Sequence, residues 1–242
     1  MTMKHIYFRR WLGACMVLGS VQAHATLVDF QGFANGSRTI SFSLSSPHVS
    51  ASGSVAAGGL STLVDGAPQR TTYSIDLYEH LDFSDAAYSD YQTVGGLAYT
   101  FANPNAALDI GRLFSAGHDI NNTVMQAAFQ IAIWEVAYET SGDYDLSTGS
   151  AKFKRGDANS NGALTLAGNW LDDLDSVANR FDVQVLRSVG TRGTAGHQDQ
   201  VFADLKQVTG AAAVNRVPEP SSMGLAVVAI MGLGFVRRRR PR

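Results

Sequence analysis

Thr123-Val124-Met125-Gln126-Ala127-Ala128-Phe129-Gln130-Ile131-Ala132-Ile133-Trp134-Glu135-Val136-Ala137-Tyr138-Glu139 is the stretch on which the fold turns. Asn121 or Asn122 can cap a helix running from here to about Thr140, because a short amide side chain accepts from the first free backbone N–H groups. The segment is apolar nearly all round, and such a helix is normally buried on several sides. It is therefore expected at the centre of the core. Gln126, Gln130 and Trp134 fall one turn apart and share a face.

Upstream, residues 27–33 and 39–44 have the length and composition of strands, joined through Ala34-Asn35-Gly36. The Gly/Ser/Ala run 50–59 reads as a flexible loop or a plain edge. Residues 70–78 alternate, with Tyr73, Ile75 and Leu77 on one face and Ser74, Asp76 and Tyr78 on the other, which predicts a half-buried strand. Residues 105–116 carry Leu108, Ile110, Leu113 and Phe114 at helical spacing. Downstream, Ser141-Gly142-Asp143 is a loop and 145–154 loop and strand. A polar turn covers 156–162, a third helix 166–177, and late strands 181–186 and 200–205. No internal repeat is present. The class is α+β. A single β-rich domain, with a sandwich- or barrel-like sheet, a buried central helix and two further helices, is expected over residues 26–208, followed by a linker at 209–216.

Both ends read as addresses. Lys4, Arg9 and Arg10 precede an apolar stretch from Trp11 to Val21, and Ala23-His24-Ala25 supplies the small-x-small pattern of signal peptidase. Cleavage is expected after Ala25, so residues 1–25 form a signal peptide. Leu12-Gly13-Ala14-Cys15 has the form of a lipoprotein box, but it follows Arg10 with almost no apolar core ahead of it, so Cys15 is placed in the discarded segment. At the other end, Val217-Pro218-Glu219-Pro220-Ser221 is stiff and extended, since each proline fixes its own backbone and restricts the residue before it. The apolar segment 223–236 follows, and then Arg237, Arg238, Arg239 and Arg240 as a basic stop, which the positive-inside rule keeps cytoplasmic.

Pro218-Glu219-Pro220, the apolar helix and the arginine cluster, in that order, closely resemble the PEP-CTERM sorting signal of Gram-negative bacteria. The resemblance implies that an exosortase recognises residues 217–242 and cleaves near the motif. It also implies an inner-membrane intermediate, and then a place in the cell envelope, on the outer surface or in the extracellular matrix. The family's association with exopolysaccharide and biofilm makes a polysaccharide or surface partner an expectation.

Composition removes several function classes. The net charge is −2 over the whole chain and both ends are basic, so the domain between them is more acidic still. It has no internal basic stripe, which argues against nucleic-acid binding. Cys15 is the only cysteine. Once the signal is cut, the domain has no disulfide, thiol nucleophile or cysteine metal site.

Phe129-Gln130-Ile131-Ala132-Ile133-Trp134 resembles the glutamine motif of bacterial thioester domains. The likeness extends to Tyr73-Ser74-Ile75-Asp76-Leu77-Tyr78, to the loop Asp145-Leu146-Ser147-Thr148-Gly149 and to the late strand Gln198-Asp199-Gln200-Val201-Phe202, covering about residues 71–204. In that family a cysteine couples to the glutamine, and the thioester bonds to amines on a target surface. Here Ser74 stands at the cysteine's position. A hydroxyl at its free pKa is a far poorer nucleophile and leaving group than a thiolate, so Ser74 and Gln130 form a degenerate pair. The favoured reading of Gln130 is a buried side chain that hydrogen-bonds backbone groups. The alternative is a covalent adhesin with a Ser74–Gln130 ester, for which Asp76 or Glu135 would serve as base.

Asp157, Asn159 and Asn161, followed by Gly162, resemble the first half of a calcium loop, but Gly168 occupies the twelfth position, where a bidentate Glu is needed. Ca2+ is thus a candidate ligand, and a polar turn is the favoured reading; no other cofactor is indicated. His48, His80, His118 and His197 are scattered and fit no metalloprotease pattern, and Ser74 lacks the Gly-x-Ser-x-Gly frame. Asp172-Asp173 reads as a solvated helix face, and Tyr88, Tyr91 and Tyr99 as strand residues or sugar-stacking platforms. The function expected is non-enzymatic adhesion or structural association outside the cell, with a secreted hydrolase as the remaining alternative.

Overall fold

The computed structural model describes residues 25–206, apart from 47–48, 82, 84–86, 141–142 and 191–195. Ala23, the sorting motif Val217–Ser221, the arginines 237–240, the linker and His48 lie outside the described residues. Ala25 is exposed, and the first strand begins at the next residue. Among the described residues, no helix is long and apolar enough to cross a membrane.

The elements are β1 (Thr26–Phe33), β2 (Arg38–Leu44), β3 (Ala51–Ala57), β4 (Leu60–Val64), β5 (Arg70–Ser74), β6 (Tyr88–Gly95), α1 (Ala106–Ser115), α2 (Thr123–Tyr138), β7 (Ala151–Arg155), α3 (Asn161–Asp172), β8 (Phe181–Ser188) and β9 (Gln200–Leu205). Six strands close a barrel in the order β1-β4-β5-β9-β8-β6, and β3-β2-β7 form a separate three-stranded sheet. The β-rich domain with three helices matches the expected class, resolved here into a barrel plus a small second sheet.

Helix α2 is the shared core element. Asn122 caps it, its side-chain oxygen accepting from the N–H groups of Val124 at 3.0 Å and Met125 at 3.1 Å. Every residue from Gln126 to Tyr138 is buried. The helix touches β2, β3 and β7 of the small sheet, β5 of the barrel, and both other helices. Phe129, Ile131, Ile133 and Trp134 pack with Ile40, Leu44, Tyr73, Ile110, Val185 and Val201 in the main core. A second cluster, with Val28, Phe30, Tyr91, Leu186 and Phe202, is drawn wholly from barrel strands.

Several boundaries differ from the sequence reading. The 70–78 strand ends at Ser74. Beyond it the Asp76 carboxylate accepts from the N–H groups of Tyr78 at 2.7 Å and Glu79 at 3.3 Å, which turns the chain out of the sheet. The Gly/Ser/Ala run is the edge strand β3, paired with β2 over seven residues without a break in register. The third helix starts at Asn161, inside the expected polar turn, and stops at Asp172; a separate 3-10 turn follows at Leu174–Ser176. Strand β4 had no counterpart in the sequence reading, and β6 had only the reading of Tyr88 and Tyr91 as strand residues.

Candidate functional site

Ser74 and Gln130 meet at the end of β5. Ser74 lies opposite Gln200 of β9, and the bridging bond there runs from the Ile75 N–H to the Asp199 carbonyl at 3.0 Å. The N–H and C=O of Ser74 therefore point away from β9. On that side β4 begins only at Leu60, opposite Thr72, so strand pairing has run out. The Gln130 amide takes the missing strand's place. Its Oε1 accepts from the Ser74 N–H at 2.9 Å, and its Nε2 donates to the Ser74 carbonyl at 2.8 Å. Buried backbone groups need such partners, and both residues are buried. The Ser74 hydroxyl turns elsewhere, donating to the Asp76 carbonyl at 3.0 Å and accepting from the Asp76 N–H at 3.3 Å.

Gln126, one turn back, plays a related part: its Oε1 accepts from the Tyr73 hydroxyl at 2.9 Å, and its Nε2 donates to the Ile120 carbonyl at 3.0 Å. Room for it comes from Gly59, where a Cβ would collide with the Gln126 Oε1 and lie 2.9 Å from the Tyr73 ring. Burial pushes the Tyr73 phenol well above its ordinary range, so it stays a neutral donor.

Above this pair lies a cleft of about 480 Å³ between β3 and the segment following β5. Ser74, Gln130 and Gln198 contribute polar groups, and Phe33, Phe42, Phe83, Leu77 and Trp134 contribute apolar ones. Gln198, of the expected late-strand motif, donates to the Asp76 carbonyl at 2.6 Å and so ties the 75–79 segment to the approach to β9. The Trp134 indole N–H is buried with no hydrogen-bond partner among the described residues. On one flank, Asp199 accepts from the Tyr99 hydroxyl at 2.7 Å and from the Ser188 N–H at 2.7 Å. Glu79 is pushed up to about 7, first by burial and then by the carboxylates of Asp76, Asp199 and Asp90.

The other candidate residues fall elsewhere. The 145–149 loop does not line the cleft. It closes on itself, Asp145 accepting from the Ser147 N–H at 2.9 Å, and packs Gly149 (φ +77°) against the Glu139 carboxylate, where no side chain fits. Glu135, proposed as a base, is fully buried, and neither of its carboxyl oxygens has a hydrogen-bond partner among the described residues. Asp157 uses one carboxylate oxygen on the Asn159 N–H at 2.6 Å and the other on the Thr39 N–H at 3.1 Å, pinning the turn to β2. Those bonds, the Asn159 N–H first, hold its carboxyl below the usual range. Asn161 already belongs to α3, and so does Gly168. Tyr88 and Tyr91 are buried, which removes them as sugar platforms; Tyr99 remains half-exposed.

The histidines make no nucleophile–base pair among the described residues. His118 stacks on Trp170 at 4.1 Å, and His197 packs against Tyr88 at 4.3 Å with the rings tilted by 53°. Ser188 donates to Asp90 at 2.7 Å and accepts from the His197 backbone N–H, not from its ring. The cleft walls Phe33, Phe42 and Phe83 went unnoticed in the sequence because they come from distant segments. The polar interruptions at Gln126 and Gln130 were the available signal.

No curated protein matches this sequence. Solved structures similar to it include two from streptococci. The N-terminal domain of the Streptococcus pyogenes pilus tip adhesin Cpa is 18% identical, with 77% of this chain and 97% of that chain covered at a TM-score of 0.45. The N-terminal thioester domain of a protein F2 like fibronectin-binding protein from Streptococcus pneumoniae is 13% identical, with 74% and 99% covered at a TM-score of 0.35. Residues 216–240 match the family model of the PEP-CTERM protein-sorting motif. The chain thus carries a PEP-CTERM sorting signal, which implies an exported, surface-sorted protein processed by an exosortase.

Proposed function

We propose that this is a non-enzymatic envelope or matrix protein of a Gram-negative bacterium, which binds its surface partner non-covalently through the cleft above Ser74 and Gln130. In this reading signal peptidase removes residues 1–25, an exosortase processes the 217–242 tail, and the partner is an exopolysaccharide or another cell-surface component. The observation that carries the non-covalent reading is the use of the Gln130 amide. Both of its ends serve the backbone of residue 74, whose side chain is a hydroxyl already engaged with Asp76. A site that forms an acyl bond needs an activated nucleophile aimed at the carbonyl carbon. What the cleft offers instead is apolar wall from Phe33, Phe42 and Phe83 beside the polar groups of Ser52, Ser54 and Gln198, the mixture typical of reversible ligand sites.

Two experiments test this. Expressing the tagged precursor with and without an exosortase should give a shorter product only in its presence; equal size in both strains overturns the sorting step. Complexes of the secreted protein with extracted envelope polysaccharide should dissociate in hot denaturant, and a complex that survives would refute the non-covalent reading.

A further inference from the structure

A second cavity, of about 290 Å³, meets the cleft at the 75–79 segment, where Tyr78 and Glu79 line both. Its walls include four aromatic rings: Tyr78, Tyr99, Phe101 and Tyr138. They form two edge-to-face pairs. Tyr99 and Phe101 are 4.7 Å apart at 63°, and Tyr78 and Tyr138 are 6.1 Å apart at 61°. Rings crossed in this way present π faces in several directions. Two of them are fixed by their hydroxyls: Tyr99 donates to Asp199 at 2.7 Å, and Tyr138 accepts from the Leu77 N–H at 2.9 Å.

Asp76 and Glu79 also line it, and Asp199 holds the Tyr99 hydroxyl. Among the described residues, no lysine or arginine makes an ion pair with any of these three carboxylates; the pairs found involve Asp204, Asp109, Asp175 and Asp90. Burial first, and then their crowding, raises Glu79. The cavity thus combines aromatic faces with the carboxyl groups of Asp76 and Glu79 on its wall.

We infer that this cavity is a binding site for a quaternary ammonium group, a trimethylammonium head held by cation–π contacts with Tyr78, Tyr99, Phe101 and Tyr138 and by the field of Asp76 and Glu79. A cation over aromatic faces is attracted by the ring quadrupole, more strongly once desolvated. A primary ammonium would need directed acceptors for three N–H groups. Here the Tyr99 and Tyr138 hydroxyls are committed, and one Asp76 oxygen, Oδ1, already accepts from two backbone N–H groups. Diffuse charge and π surface suit a cation that has no N–H to satisfy. The inference does not rest on what the cleft binds.

The test is calorimetric titration of the full-length protein with choline and with 3,3-dimethylbutan-1-ol, its neutral isostere. Choline should bind at least roughly tenfold more tightly than the alcohol, the size expected of a cation–π cage. Phe101→Leu, which keeps apolar volume but removes a π face, should weaken choline by roughly tenfold, while Phe101→Tyr retains it. Glycerophosphocholine separates two sources of the same head group: binding equal to or tighter than choline points to a lipid, and weaker binding to a free solute. Equal affinity for choline and its isostere overturns the inference, and that comparison needs no variant to fold.

Discussion

Gln130→Leu is the most informative single change. Leucine keeps most of the buried volume but offers neither donor nor acceptor to Ser74, whose N–H and C=O lie 2.9 and 2.8 Å from the Gln130 amide. Neither group has another strand to turn to, since β4 starts too late and β9 lies on the opposite side. Leaving a buried backbone group unsatisfied costs about 1–3 kcal/mol, so two such groups give a loss of ~2–6 kcal/mol. Against a typical domain stability of about 5–15 kcal/mol, that is a large fraction. Urea unfolding followed by far-UV circular dichroism measures it. With a slope of about 2 kcal/mol per molar urea, the midpoint should fall by roughly 1–3 M. Gln130→Glu separates hydrogen bonding from packing, because only the protonated carboxyl supplies both a donor and an acceptor. It should destabilise more at pH 7 than at pH 4. A Gln130→Leu loss below about 1 kcal/mol, at the low end of what one unsatisfied group costs, would show that the amide is not what holds β5 to α2.

Three further outcomes follow from the same structure. Glu135 is fully buried and its carboxyl is raised from 4.5 to about 8, mainly by burial and then by Glu139. The folded state keeps a proton that the unfolded chain releases, so stability falls as pH rises from about 4.5 to about 8. At about 1.4 kcal/mol per unit, Glu135→Gln should raise stability at pH 8 by up to ~4 kcal/mol and leave it little changed near pH 4; equal urea midpoints for variant and parent at pH 8 would contradict the assignment. The intact mass of the secreted protein should equal that of its processed sequence, since an ester between Ser74 and Gln130 would expel ammonia and lower the mass by about 17 Da. Gly59→Ala should cost about 1–3 kcal/mol of overpacking, read as a lower thermal midpoint, because its Cβ meets Gln126 and the Tyr73 ring.

Where one periodicity ran unbroken, the sequence was a good guide. Helix α2 announces itself by a capping asparagine and an apolar run, and β9 by its length and its flanks. Strand β6 was hidden by a register shift. Thr26 pairs with Tyr91 and Val28 with Tyr88, so two residues of β1 span three of β6, and the inward tyrosines fall three apart instead of two. Strand β4 was hidden because Ser61 and Thr62 are buried polar residues, and the shorter of the Thr62 hydroxyl's two bonds is made by Thr72 across the sheet, at 2.8 Å. The early start of α3 contradicts the turn chemistry of Asn161-Gly162; Ser160 does not cap it but is bound to the Asp157 carbonyl at 2.9 Å. At the site, the pairing of Ser74 with Gln130 was legible from a motif. The cleft was not, since its walls meet only when the small sheet closes over the 75–79 segment.

The placement of α2 bears on how the secreted protein endures outside the cell. Without sulfur cross-links, two sheets in one domain risk peeling apart separately, which would hand proteases a partly opened chain. One helix with faces in both sheets removes that route, because neither sheet can detach without stripping cover from the other's interior. The domain's lifetime in a hostile medium is then set by one concerted opening rather than by its weakest sheet.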